Sequence, residues 1–460
     1  MNLNLKNDLA TFDQLLEATK ALAAHSLMGL NEQVVAIAKP QLEASNWPVQ
    51  GQGGLATLHE FALNWAPLLS ACAGPRYLGF VTGGATPASV VGDWLTSVVD
   101  QNPTADWDSH AADLERETVR AMAALFGLPE AQDGSFVTGA TLSNFVGLAL
   151  GREWVGRQLG VKVSEQGLAA LGPVAILSGS PHSSIYKAAS MLGLGRNAIA
   201  RVSLQADREA VDLAALEHAL RQQQGRACIV VANAGTVNSG DFDDLQAILK
   251  LRQRYSFWLH VDAAFGAFAA LDERVADQLE GLGEADSICI DCHKWLNVPY
   301  DSALQYTRHR DLQVAVFQNS AAYLGAIGER PEFVHLTPEN SRRWRALATW
   351  FALKSYGREG QADIVKRNID CARDFGDLIQ ASPQLELLAP VRLNIVCFAV
   401  RGCEDAGAVQ EVLLRLRDSG EAFLTPTLYL GRWGVRAAFS NWRTTAADVQ
   451  RVHLALLKSI

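Results

Sequence analysis

Two stretches decide how this chain is to be read: Trp258-Leu259-His260-Val261-Asp262-Ala263-Ala264 and, with its lysine 32 residues beyond that aspartate, Asp291-Cys292-His293-Lys294-Trp295-Leu296. Trp258 to Val261 is nearly all apolar, and a short continuous apolar run predicts a strand covered on both faces. Asp262 at its end must be exposed or paired, because an isolated buried carboxylate neutralises itself. A protonated pyridine nitrogen is one such partner, and its ring then acts as an electron sink. A helix-capping role is the plainer alternative. Lys294 follows a second strand-like run, Ser287 to Ile290. At the mouth of a sheet a desolvated lysine amine can form an imine with a carbonyl; otherwise Lys294 is an ordinary exposed lysine.

Working outward, Val174 to Leu177 and Cys228 to Ala232 have the same continuous apolar character. Helical patterns lie between the strands at Asp113 to Phe126, Leu213 to Gln222 and Asp244 to Tyr255. This alternation predicts an α/β fold whose large, mixed or mostly parallel sheet is covered by helices, with ligands bound beyond the carboxyl ends of the strands. The expected domains are a helical segment over 1–73, a large α/β domain over 74–340 and a small C-terminal α+β domain over 341–460. The last contains helical runs Arg343 to Tyr356 and Ile364 to Ile379, a helix around Val412 to Leu416, and strands around Ile395 to Val400 and Gly434 to Phe439. The first 73 residues have apolar helical faces and no sheet of their own, so they are expected to pack on a partner subunit.

Three further loops carry chemistry. Thr138-Gly139-Ala140-Thr141 opens a helix, and small residues at a helix N-terminus expose N–H groups suited to a phosphate. It matches neither the dinucleotide fingerprint nor the nucleotide P-loop. His182, in Pro181-His182-Ser183-Ser184, sits at a strand-to-helix turn where an imidazole can stack on a ring or pass a proton. Thr236, in Asn233-Ala234-Gly235-Thr236, follows a strand, and its neighbouring glycine permits close backbone approach. Together these loops ask for a phosphate, an aromatic ring, a ring nitrogen and a carbonyl. Pyridoxal 5′-phosphate supplies all four.

Composition narrows the alternatives. The 460 residues carry 40 Lys and Arg against 49 Asp and Glu, a net charge of −9, which offers no general attraction to nucleic acid or anionic membrane. Seven cysteines, an odd number mostly in apolar stretches, suggest reduced thiols in a cytoplasmic protein. Cys289 and Cys292 are read as strand and loop residues, because no second metal-binding pair follows at useful spacing. With neither a secretory leader pattern nor a run of 18 apolar residues, neither secretion nor membrane insertion is expected.

The chain resembles the group II pyridoxal-phosphate-dependent amino acid decarboxylases, the aromatic amino acid, glutamate and diaminobutyrate enzymes. The resemblance rests on Gly74-Pro75-Arg76-Tyr77, His182-Ser183-Ser184, Gly235-Thr236 with Gly240, His260-Val261-Asp262-Ala263-Ala264, His293-Lys294-Trp295-Leu296 and, more weakly, Asn441-x-Arg443-Thr444-Thr445. It implies a fold type I pyridoxal-phosphate enzyme acting as a homodimer on a small amino acid substrate. Lys294 is then the cofactor lysine, Asp262 the partner of the pyridine nitrogen and His182 the stacked residue. Ala140 and Thr141 would hold the phosphate, with His293 adjacent among the cofactor-binding residues; Thr236 and Ala264 would line the cofactor, and Thr82 would lie near the substrate carboxylate. The implied reaction converts an L-amino acid to its amine and CO2. Transamination, decarboxylation coupled to oxidative deamination, and a silent dimeric binding protein are the alternatives.

Two departures stand out. Leu142 and Ser143 replace the Glu-Ala pair usual after the phosphate loop. Phe333 falls where aromatic amino acid decarboxylases carry a proton-donating tyrosine, so Phe333 is expected at the substrate and His335, or Tyr323, as the proton donor.

Overall fold

A computed structural model of the chain describes residues 1–38, 40, 47–319 and 327–460. Its central sheet contains β1 (Asp133–Val137), β2 (Ile176–Ser178), β3 (Ile199–Arg201), β4 (Cys228–Asn233), β5 (Phe257–Asp262), β6 (Ser287–Ile290) and β7 (Ala303–Thr307), in the order β1-β7-β6-β5-β4-β2-β3. The run from β3 to β6 is parallel, and β7 is antiparallel to both β6 and β1. All six residues of β4 and of β5 are buried. Ile229, Val231 and Trp258 enter the core on one face, while Val230, Ala232, Leu259 and Val261 enter the core on the other. This double coverage is why the two strands read as unbroken apolar runs. Each fully buried aliphatic side chain adds about 1.5–3 kcal/mol of transfer free energy.

Sheet register sets the loops side by side. Asn233 at the end of β4 pairs with Asp262 at the end of β5, and Asp262 pairs with Cys289 of β6. The turns after these parallel strands therefore emerge at one edge. The helix Ala140–Gln158 packs across β4 to β7, bringing its N-terminus to the same edge.

The smaller sheet, β10-β11-β9-β8, is wholly antiparallel and comprises β8 (Leu385–Leu387), β9 (Ile395–Val400), β10 (Thr425–Tyr429) and β11 (Arg432–Ala438). Helices Ala406–Asp418 and Ala446–Ser459 help to cover its core. The two helices expected around Gly357 are present within Ala346–Ala381 and meet at a kink at Gly357, whose φ of 59° and ψ of −170° are not helical. Ala346, Ala352, Val365 and Ile369 of this pair belong to the larger core, whereas Ala372, Phe375 and Ile379 belong to the smaller.

The N-terminal helices Leu3–Ala10, Phe12–Met28 and Gly54–Asn64 contain no buried residue. Leu9, Phe12, Leu16 and Leu63 are at least half exposed on them. Among the described residues, no helix is long and apolar enough to cross a membrane.

Gly357 occupies a backbone region that is essentially restricted to glycine, and a β-carbon there would meet no neighbour within 4 Å. Substitution therefore tests backbone strain alone. Gly357→Ala is expected to lower stability by about 1–3 kcal/mol in urea unfolding, with an unchanged denaturant slope.

Candidate active site

A cavity of about 500 Å³ lies at the carboxyl ends of β4 and β5. Ala140, His182, Thr236, Asp262, Ala264 and Lys294, each singled out from the sequence, line it together. Asp262 terminates β5 almost fully buried. Its Oδ2 accepts Asn144 Nδ2–H at 2.9 Å, and its Oδ1 accepts the Ala264 N–H at 3.2 Å.

Asn144 is the hinge of a longer polar chain. Its Nδ2 also donates to Ser184 Oγ, leaving that hydroxyl to donate to His182 Nδ1 at 2.7 Å. On the other side, Asn144 Oδ1 accepts from His260 Nε2 at 2.8 Å. His260 Nδ1 meets Ser287 Oγ, which itself accepts Trp258 Nε1–H. Both histidines are thereby assigned: each carries its proton on Nε2. Burial pushes His260 down to about 4 and lowers His182, so both are neutral near pH 7. Gly147 makes room for this chain, since a β-carbon there would stand 2.4 Å from His260 Nδ1.

Lys294 lies in the short helix Cys292–Trp295 that follows β6. Its backbone is pinned from outside the sheet, because a β-carbon on Gly83 would fall 1.6 Å from the Lys294 carbonyl oxygen. Only glycine permits that crossing. The amine is 5.7 Å from the Phe265 ring centroid and 3.9 Å from Asp291 Oδ2.

The helix beginning at Ala140 has Gly139 at its N-cap and no side-chain cap. Leu142 and Ser143 N–H groups return to the Gly139 carbonyl, Ala140 N–H donates to Asp291 Oδ2, and among the described residues nothing accepts the Thr141 N–H. His293 lies against Gly139, whose β-carbon would stand 3.2 Å from the ring. Its Nδ1 accepts the Ser302 N–H, so Nε2 carries the proton, and burial pushes its pKa down to about 3. An uncapped helix start, an unused N–H and a neutral imidazole donor form an anion cradle.

Three other sequence-derived residues lie apart. Thr82 is buried, next to the Gly83 crossing and outside the cavity lining. Phe333 is buried between the guanidinium groups of Arg116 and Arg342, at 5.0 and 5.2 Å, and lines a separate cavity. His335 is buried too, its Nδ1 accepting the Asn319 N–H. Within one chain neither Phe333 nor His335 reaches the Lys294 cavity. Tyr323 falls outside the described residues.

Two cavity residues escaped the sequence reading. Arg436 of β11 donates from Nη1 to the Val237 carbonyl, its Nε is buried without a partner, and burial pushes it down to about 10. Its signal was a cation inside the apolar run Gly434 to Phe439. Glu209 lines the cavity with its carboxylate filled by Thr236, Ser239 and Asn238.

The family model described as the pyridoxal-dependent decarboxylase conserved domain matches residues 45–401. The aromatic-L-amino-acid decarboxylase of Bacillus atrophaeus is 27% identical over 397 residues, covering 83% of this chain and 80% of that one. The 3,4-dihydroxyphenylacetaldehyde synthase of Drosophila melanogaster is 30% identical over 225 residues, covering 48% of this chain and 44% of its own length. Among solved structures, the Oryza sativa TDC with PLP and tryptamine superposes with a TM-score of 0.88 at 22% identity, covering 100% of this chain and 98% of that one.

Asn144→Ala would remove a donor from Asp262 and an acceptor from His260 in one step. Each buried group left unpaired costs about 1–3 kcal/mol. The variant is expected to lose stability on that scale in denaturant titration, with Asn144→Asp failing to restore it because a carboxylate cannot donate to Asp262.

Proposed function

Since this chain belongs to the pyridoxal-dependent decarboxylases and its cofactor is pyridoxal 5′-phosphate, we propose that it removes CO2 from an L-amino acid, with Lys294 and Asp262 as its principal catalytic residues. The observation that carries this reading is the meeting of Lys294, the buried carboxylate of Asp262 and the uncapped Ala140 helix in one cavity. The bound cofactor supplies an aldehyde that takes up the substrate amine and a protonated ring that accepts the electron pair left by departing CO2.

Lys294 Nζ is the nucleophile toward the aldehyde carbon. Asp262, fixed by Asn144 and Ala264, holds a proton on the ring nitrogen. His182, neutral and with its Nε2–H available, would lie against the cofactor ring in the cavity that Ala264 also lines. Ala140, Thr141 and His293 would hold the phosphate through N–H donors, with Thr236 lining the same cavity. Arg436, a buried cation with a free Nε–H, binds the substrate carboxylate. Thr82, adjacent to the Gly83 crossing, acts by placing the Lys294 backbone rather than by touching substrate.

Phe333 and His335 lie outside their own chain's cavity, so their part in proton delivery requires a second subunit. We place the chain in a homodimer, supported by the N-terminal helices whose apolar residues remain exposed. All seven cysteines are free thiols, which suits a reducing cytoplasm. Phe333, together with the resemblance to an acetaldehyde synthase, favours one second reading: decarboxylation with oxidative loss of the amine.

Borohydride treatment of the holoenzyme, followed by peptide mapping, is expected to leave the cofactor fixed to Lys294 and to yield no adduct in Lys294→Ala. An adduct on another lysine would overturn the assignment. Amine and CO2 in equal amounts under both air and nitrogen support simple decarboxylation; aldehyde and ammonia formed only with oxygen support the second reading. Sedimentation should give about twice the 49.7 kDa chain mass. Mixing Lys294→Ala chains with His335→Ala chains should restore activity that neither has alone.

A further inference from the structure

Asp291 stands at the phosphate cradle, and it is itself an acid. It is only 1% exposed, and Oδ2 occupies the Ala140 N–H, one of the donors assigned above to a phosphate. Its Oδ1 is buried with no hydrogen-bond partner. His293 Nε2 is 3.1 Å from Oδ1 but outside hydrogen-bonding geometry, and Lys294 Nζ is 3.9 Å from Oδ2. A carboxylate thus sits in the anion site, with one oxygen on a helix N-terminal donor and the other unpaired.

The surroundings do not stabilise a second anion there. His293 is neutral, and Lys294 Nζ stands 3.9 Å from Oδ2, beyond hydrogen-bond reach. From β5 Asp262 repels, and Cys289 of β6, Cys292 of the same short helix and Tyr300 are neutral groups whose ionisation Asp291 opposes. Burial outweighs the attraction of Lys294 and pushes Asp291 up to about 7. A phosphate dianion brought against an ionised Asp291 would add repulsion at a few ångströms in a poorly hydrated site, where charges interact more strongly than in water.

We propose that Asp291 is a phosphate ligand in its neutral form: on loading, it surrenders the Ala140 N–H, takes one proton from solvent and donates its O–H to a phosphate oxygen. The proposal rests on the cofactor reading above and adds the protonation state of one ligand. Capture of the aldehyde by Lys294, with loss of water, and any proton taken by the ring nitrogen are common to wild type and to a variant at Asp291; the Asp291 step itself leaves the phosphate its charge and adds one proton per site. Above the titration of Asp291, cofactor affinity must then fall as pH rises, because the proton has to be supplied before the phosphate can be held.

The test uses the apoenzyme, full length, titrated with pyridoxal 5′-phosphate in buffers of different ionisation enthalpy at pH 8. Wild type is expected to take up about one proton more per site than Asp291→Asn, whose amide is a donor at every pH. The wild-type dissociation constant should rise about tenfold per pH unit above the Asp291 titration, and that of Asp291→Asn should lack this added slope. Difference infrared spectra of the wild-type protein labelled with 13C-aspartate provide a measurement that needs no variant: a protonated carboxyl band should appear on loading. Equal proton uptake in the two proteins, or a loaded wild type without that band, overturns the proposal while leaving the cofactor on Lys294. Failure of wild type to fix cofactor on Lys294 overturns the underlying reading instead.

Discussion

A carboxylate at the end of a buried strand has to be solvated by the protein itself, and the centre of this structure is arranged around that need. Asp262 takes its donors from the Ala264 backbone and from Asn144, a residue of the helix lying across the sheet. Asn144 can present its amide that way only if its carbonyl is satisfied, which His260 does, and His260 in turn depends on Ser287 of the next strand. The chain joins β5, β6 and the helix in a single relative placement, since a slip of one residue in any of them would strand a buried polar group. Gly147 lets the helix approach closely enough for it to form.

This explains which parts were legible in the sequence. β4, β5 and β6 announced themselves because both faces of each are covered, and the chemistry-bearing loops were found by following those strands to their ends. β1, β3 and β7 did not. β3 contributes only Ile199 to the core, and β1 and β7 contain glycine, serine, glutamine and threonine whose burial follows from the fold rather than from local pattern. The helix expected to run to Tyr255 stops at Leu251, because the chain must turn there to enter β5. Asn144 and Arg436 owe their roles to partners distant in sequence. Thr82, Phe333 and His335 came from family resemblance alone; within a single chain Thr82 stands beside the crossing behind Lys294, and Phe333 and His335 do not line the cavity.

The cavity also lies on the seam between the two sheets. Thr427 Oγ1 donates to Asn238 Oδ1, the Tyr429 hydroxyl donates to the Asp207 carbonyl, and Arg436 reaches the Val237 carbonyl. Arg208 and Arg392 approach the same buried Asp241 from either side of that seam. Glu209 ties the turn carrying Thr236 into this set. The small domain thus delivers a cation to the site through the same contacts that fix its position.

The helix that follows the kink at Gly357 supplies side chains to both hydrophobic cores, with Ile369 ending its contribution to one and Cys371 beginning its contribution to the other. Neither core can melt while that helix stays whole, and the helix has little reason to stay whole once either core is lost. The two sheets, whose strands do not pair with one another among the described residues, are thereby expected to unfold together as one cooperative unit.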